Sequence, residues 1–140
     1  LILTRGARLV GTNPNATVDA YRAGQHLVLP GGGSLVAPFT IATGVTPTIV
    51  GKPEPLLYEM ALERLDCPSN RCLMIGDRPD TDILGAERLG MWTALVRTGR
   101  FPPGCPPPKG LRGPDLDCDG LPELIGVLAA RFPGLLAAAA

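Results

Sequence analysis

Apolar positions along this chain change their period several times, and each change marks an element. Between Pro47 and Arg100, short apolar runs bounded by turn residues alternate with stretches in which apolar residues recur at helical spacing. Thr48-Ile49-Val50, Leu73-Met74-Ile75 and Thr93-Ala94-Leu95-Val96 read as strands covered on both faces, because none alternates with polar residues. Glu54 to Leu65 and Thr81 to Leu89 read as the helices between them. In the first helix Pro55 suits the opening turn, and Leu57, Ala61 and Leu65 predict one apolar stripe able to cover a sheet. In the second, Ile83, Ala86 and Leu89 share a face and Gly90 supplies a left-handed stop. The order β-α-β-α-β predicts the α/β class and a parallel, doubly wound sheet, with ligands bound outside the carboxyl ends of its strands.

The pattern loosens on both sides of that zone. Upstream, Val10-Gly11 ends a strand and Thr12-Asn13-Pro14-Asn15 turns the chain. Pro30-Gly31-Gly32-Gly33 then precedes a short helix that Ser34 is expected to cap, with Pro38 distorting its start by removing a backbone donor. Downstream, Phe101 to Pro108 holds too many prolines for a helix or central strand and predicts an extended surface connector. Such a run can also be an SH3-type ligand, but this one leads straight back into patterned sequence. Leu116-Asp117-Cys118 makes a short strand, Leu121, Leu124, Ile125 and Leu128 mark a closing helix, and Leu135 to Ala140 reads as a frayed tail.

Composition narrows the partners. The chain has 140 residues, 45% of them hydrophobic and 19% charged, enough for one core of ordinary size, or one core and an appendage. Its 13 basic and 13 acidic residues cancel, so no broad positive field favours nucleic acid. The apolar runs are too short or interrupted to span a bilayer, and no signal-peptide pattern opens the chain. Beginning without Met, directly in the apolar Leu1-Ile2-Leu3, the sequence reads as truncated. Cys67, Cys72, Cys105 and Cys118 include no C-x-x-C pair, so free thiols and a reducing cytoplasm are expected.

Chemistry is concentrated at two strand ends. Cys72 to Ile83 is an apolar run that stops in Gly76-Asp77 and then adds Asp80 and Asp82. Val50-Gly51-Lys52-Pro53 sets a lysine at the end of the preceding predicted strand, and both ends are expected to face one crevice. A lysine there is a compact charge suited to a phosphate oxygen. An aspartate beside it suits Mg²⁺, which is held by one or two carboxylates plus waters and substrate phosphate.

Gly51-Lys52-Pro53-Glu54-Pro55, Met74 through Ala86, Gly90-Met91 and Thr98-Gly99 together resemble the haloacid dehalogenase (HAD) superfamily. The resemblance is to its branch of p-nitrophenyl-phosphatase, phosphoglycolate-phosphatase and pyridoxal-phosphatase-like enzymes. Thr12-Asn13-Pro14 and Pro30 through Leu35 resemble the end of that branch's large inserted cap. The resemblance implies a partial Rossmann-like core with a cap remnant: residues 1–45 as the end of the cap, 46–134 as the C-terminal half of the core with a proline-rich loop at 101–114, and 135–140 as a tail. It implies a Mg²⁺-dependent phosphatase acting through an aspartyl-phosphate. Lys52 matches the residue that pairs with phosphate and nucleophile, Asp77 the metal carboxylate, and Asp82 the second acid that positions metal waters and lysine. Asn15 to Tyr21 matches the cap loop at the leaving group, so Thr12, Asn13 and Asn15 join Lys52 as substrate-binding candidates. Partners implied are a small phosphorylated metabolite and, for the complete protein, a second copy, with neither nucleic acid nor membrane.

The sequence also departs from that family. Its nucleophile motif, Asp-x-Asp-Gly after the first core strand, does not occur upstream of Thr12. Asp117-Cys118-Asp119-Gly120 has the same letters near the other end, and a permuted enzyme could use Asp117 and Asp119. Pro114 and Asp115 break the strand before it, so the reading preferred here is a turn capping the last helix. A non-catalytic Mg²⁺- or phosphate-binding module, or a fragment that docks on a partner, is the alternative to an enzyme. Asp80 is expected to serve the helix start rather than a metal, and His26 lacks a patterned partner.

Overall fold

In the computed structural model, which describes residues 1–106 and 110–134, the chain divides into two units, Leu1–Leu57 and a second that begins at Tyr58. The first unit contains α1 (Ile2–Arg5), β1 (Val10–Gly11), β2 (Thr17–Arg22), β3 (Gln25–Pro30), α2 (Gly32–Thr43) and β4 (Thr48–Ile49). β1 and β4 pair in parallel, with Val10 opposite Thr48 and Gly11 opposite Ile49. β2 and β3 form an antiparallel hairpin that the hydrophobic pattern does not announce. Its turn is Ala23-Gly24, both at positive φ (51° and 77°), the backbone that matches a two-residue hairpin to strand twist. Most of Asn15 to Tyr21 is therefore strand, not loop.

Ser34 does not cap α2. The cap is Gly31, and the Ser34 hydroxyl donates instead to the Ala16 carbonyl. Gly31, Gly32 and Gly33 lie so close to the backbone of Pro14 and Asn15 and the side chain of Asn13 that any Cβ would clash. The helix thus begins where glycine permits the approach. Pro38 sits inside α2 without ending it, and the helix runs on to Thr43 before Gly44 takes a left-handed φ of 70°. Pro38 removes one backbone donor, and the surrounding turns carry the helix past it.

α3 (Leu56–Leu65) opens the way to the second unit. Its predicted stripe is not its buried face: Leu57 is 47% exposed and Leu65 is 65% exposed, whereas Tyr58 is 5% exposed. The four-residue count ranked aliphatic residues and passed over an aromatic whose hydroxyl has buried partners. After α3 come β5 (Leu73–Gly76), a single π-helical turn (Pro79–Ile83), α4 (Leu84–Arg88), β6 (Trp92–Val96), β7 (Leu116–Cys118) and α5 (Leu121–Arg131).

The three strands form a parallel sheet in the order β5-β6-β7, with Gly76 opposite Leu95 and Val96 opposite Cys118. Successive β6 side chains point to opposite faces. Ala94 and Val96 join Cys118, Leu124 and Leu128 in one buried cluster under α5. Leu95, fully buried, takes the other face, where α4 packs on β6 through buried Ala86. Helices cover both sides, giving an α/β fold with a partial doubly wound parallel sheet. Pro107 and Pro108 of the expected connector, and the expected tail from Leu135, lie outside the described residues. Among the described residues no helix is long and apolar enough to cross a membrane.

Candidate active site

The carboxyl end of β5 is shaped by the π-helical turn that follows it. The Arg78 carbonyl accepts the N–H groups of Asp82 at 2.9 Å and Ile83 at 3.3 Å, so the chain coils tightly and returns Asp82 beneath the strand end. Asp82 is 4% exposed. Its Oδ2 accepts the backbone N–H groups of Asp77 and Arg78, each at 3.2 Å. This approach requires Gly76, since a Cβ there would fall 2.4 Å from Asp82 Oδ2. Tyr58 fixes the turn from above: its hydroxyl donates to the carbonyls of Thr81 and Asp82 at 3.0 and 3.1 Å. Burial, reinforced by the nearby Asp82 charge, pushes the Tyr58 phenol up to about 12, so it stays a donor.

Asp77 is placed differently. Its carboxylate lies against the Cα of Gly99, where a Cβ would come within 1.9 Å of Oδ2. It is partly exposed. Asp80, between the two, is held by Arg78 in a two-point pair, Nε to Oδ1 at 3.1 Å and Nη2 to Oδ2 at 2.6 Å. That guanidinium keeps the Asp80 carboxyl below its ordinary range. Asp77 and Asp82 are thus brought together, and Asp80 is paired with Arg78. Sequence reasoning missed the roles of Tyr58, Gly76 and Gly99. The close approaches of the two glycines leave no trace in hydrophobic spacing.

The other predicted residues belong to the first unit. The ends of β1 and β4 are adjacent, and a Cβ on Gly51 would overlap the Thr12 carbonyl oxygen at 1.7 Å. Thr12-Asn13 and Gly51-Lys52 therefore meet at one end of that pair. Asn13 Oδ1 accepts the Asn15 N–H at 3.0 Å, and Asn13 Nδ2 donates to Thr12 Oγ1 at 3.4 Å, which folds Thr12 to Asn15 into a tight polar turn. Lys52 is exposed. His26 does have a partner: its Nε2 lies 2.9 Å from Asp19 Oδ1, and its ring centroid is 5.2 Å from that of Tyr21. The unforeseen hairpin register sets Tyr21 opposite His26 and Asp19 on the diagonal.

The second aspartate pair, at the end of β7, is tied into structure. Asp117 accepts Arg97 Nε at 2.7 Å and Nη2 at 2.6 Å, and Arg97 Nη1 donates to the Cys105 carbonyl at 2.7 Å. The Asp119 N–H donates to Glu123 Oε2 at 2.6 Å, which ties the residue before the α5 cap, Gly120, to the first turn of that helix.

Among the described residues no three His, Cys, Asp or Glu side chains gather as a metal site. The donor chemistry at β5 nevertheless fits a hard cation: Mg²⁺ needs only one or two carboxylates, with waters and phosphate completing its shell. Asp77 offers such a carboxylate at the strand mouth.

Residues 49–116, which contain Lys52, Asp77 and Asp82, match the family model described as HAD-hydrolase-like. This segment belongs to the HAD-like hydrolases. The chain is 39% identical over 99 residues to the 5'-nucleotidase YutF of Bacillus subtilis, a match covering 71% of this chain and 37% of that protein. A p-nitrophenyl phosphatase from Archaeoglobus fulgidus superposes with a TM-score of 0.72 at 27% identity, over 89% of this chain and 48% of the other. The glycerol phosphate phosphatase Rv1692 of Mycobacterium tuberculosis, solved in complex with magnesium, superposes with a TM-score of 0.59 at 41% identity, over 67% of this chain and 27% of the other. The chain spans less than half the length of each of these relatives.

Proposed function

We propose that these residues are the C-terminal part of a Mg²⁺-dependent phosphatase hydrolysing a small phosphate monoester through an aspartyl-phosphate. In this reading residues 1–45 are the end of a cap and 46–134 half of the core. The observation that carries it is the buried Asp82 carboxylate clamping the N–H groups of Asp77 and Arg78, which fixes Asp77 at the mouth of a parallel strand. Asp77 is the metal ligand. Mg²⁺, when bound, would neutralise phosphate charge and help activate water. Asp82 is the positioning acid, and Lys52 contributes a fixed positive charge for phosphate. Thr12, Asn13 and Asn15, folded into one polar turn, present groups to the leaving group. The nucleophile is not among these residues upstream of Thr12, so the covalent step needs an aspartate supplied from elsewhere. A small phosphorylated metabolite is the substrate class, and the complete protein is proposed to dimerise. The four free cysteines support a reducing, cytoplasmic setting.

The test begins with the coding sequence upstream, where an apolar strand ending in Asp-x-Asp-Gly is expected. The polypeptide including it should turn over p-nitrophenyl phosphate with Mg²⁺ and lose about 100-fold in rate in Asp77→Asn. Unchanged turnover in Asp77→Asn removes the metal role. Turnover by the 140 residues alone, abolished in Asp117→Asn, would establish the permuted enzyme instead.

A further inference from the structure

A cavity lies at the end of the β5-β6-β7 sheet opposite Asp77. Its floor is formed by Leu73, Leu116 and Leu128, and Leu73 and Leu116 open β5 and β7. Asp77 follows the last residue of β5, so the length of that strand separates the cavity from the candidate active site. Its volume is about 430 Å³, within the roughly 300–1,000 Å³ of small-molecule pockets. Trp92 and Phe132 line it and remain 48% and 49% exposed, so much of their aromatic surface is uncovered.

Two features give the cavity chemical direction. The Trp92 indole is held by its Nε1–H, which donates to the Asn70 carbonyl at 3.1 Å, so its ring is set in advance of any ligand. The Arg131 guanidinium stands 5.8 Å from the Trp92 ring centroid and 6.0 Å from that of Phe132. Arg71 also lines the cavity. Neither guanidinium is in an ion pair among the described residues, whereas Arg78, Arg97 and Arg112 each have a carboxylate. An apolar pocket with oriented aromatic walls and two unneutralised guanidiniums complements a flat apolar body bearing one anionic group.

We infer that this cavity is a binding site for a planar aromatic anion, separate from the phosphatase site. Trp92 is the only tryptophan in the sequence, so its fluorescence reports the site directly. Titrating the 140-residue protein with phenylacetate should change Trp92 emission saturably. Acetate should leave the emission unchanged, and the neutral isostere phenylacetamide should bind about tenfold or more weakly. Arg131→Gln and Arg71→Gln, each checked for native circular dichroism, should each weaken phenylacetate by about tenfold. Asp77→Asn should leave the titration unchanged, which separates this site from the one at the other strand end. Absence of saturable binding, equal binding of phenylacetamide, or loss of the response in Asp77→Asn would each overturn the inference.

Discussion

At the end of β5, a buried aspartate is served by backbone N–H groups and its neighbour Asp77 is left partly exposed at the strand mouth. At the end of β7, Asp117 gives both oxygens to Arg97 and the Asp119 backbone is bound by Glu123. Both stretches gather aspartates and a glycine at the end of a parallel strand, and the letters alone make either a catalytic motif. The difference lies in what neutralises each acid. A carboxylate held in a two-point guanidinium pair has its charge matched and each oxygen engaged. One braced by main-chain donors holds the backbone of its neighbour in place. Motif letters become chemistry only when the counter-groups leave an oxygen available.

The contrast can be broken most severely at Asp82. Asp82→Ala removes a buried acceptor from two backbone donors and should destabilise the protein by about 3 kcal/mol in urea unfolding. Asp82→Asn, which keeps one acceptor oxygen, should cost about half as much. A loss below about 1 kcal/mol for the alanine variant would mean that those N–H groups are satisfied in another way.

Tyr58→Phe comes next, at about 1.5 kcal/mol, because the Thr81 and Asp82 carbonyls lose their common donor. It should also change the pH profile. The folded-state value of Tyr58 is raised from 10.0 to about 12, so its stabilising contribution is complete below 10 and disappears as pH rises through 12. Alkaline unfolding monitored across that window should lose part of its slope in the phenylalanine variant.

Gly99→Ala should cost less stability, about 1 kcal/mol, because the new Cβ would meet Oδ2, Cγ and Cβ of Asp77 at 1.9, 2.7 and 2.9 Å and force that one side chain to shift. The damage should fall on Asp77 placement instead, visible as weakened Mg²⁺ affinity in the complete protein with the fold intact. Smallest is Asp117→Asn, about 0.5 kcal/mol, since that pair is open to solvent on the aspartate side. A much larger effect would show that the β7 pair does more than fasten a loop.

Much of the second unit was legible in the sequence because its strands are continuous apolar runs and its turn residues are strong. β5, β6, β7 and α5 fall within a residue or two of the pattern. Asp77 and Asp82 were legible because the strand stops abruptly in glycine and acid. The stripe of α3 was misread because hydrophobic periodicity does not register a tyrosine whose hydroxyl finds two buried carbonyls. The hairpin was missed because Ala23-Gly24 is a weak turn signal, and a polar, largely exposed ribbon carries little burial pattern. With that register hidden, the pairing of His26 with Asp19 could not be foreseen. Gly99 illustrates the other limit: its role is a tertiary approach to a residue 22 positions earlier, and local spacing has no access to it.

Arg97 also shapes how the chain between β6 and β7 behaves as a polymer. By gripping Asp117 with two nitrogens and the Cys105 carbonyl with a third, it pins that connection near its middle. One long loop becomes two short ones, each with its own closure entropy. Residues inserted into either arm would lengthen that arm alone, at the slow logarithmic cost of a larger ring. Cutting the Arg97 tether would instead release both arms at once.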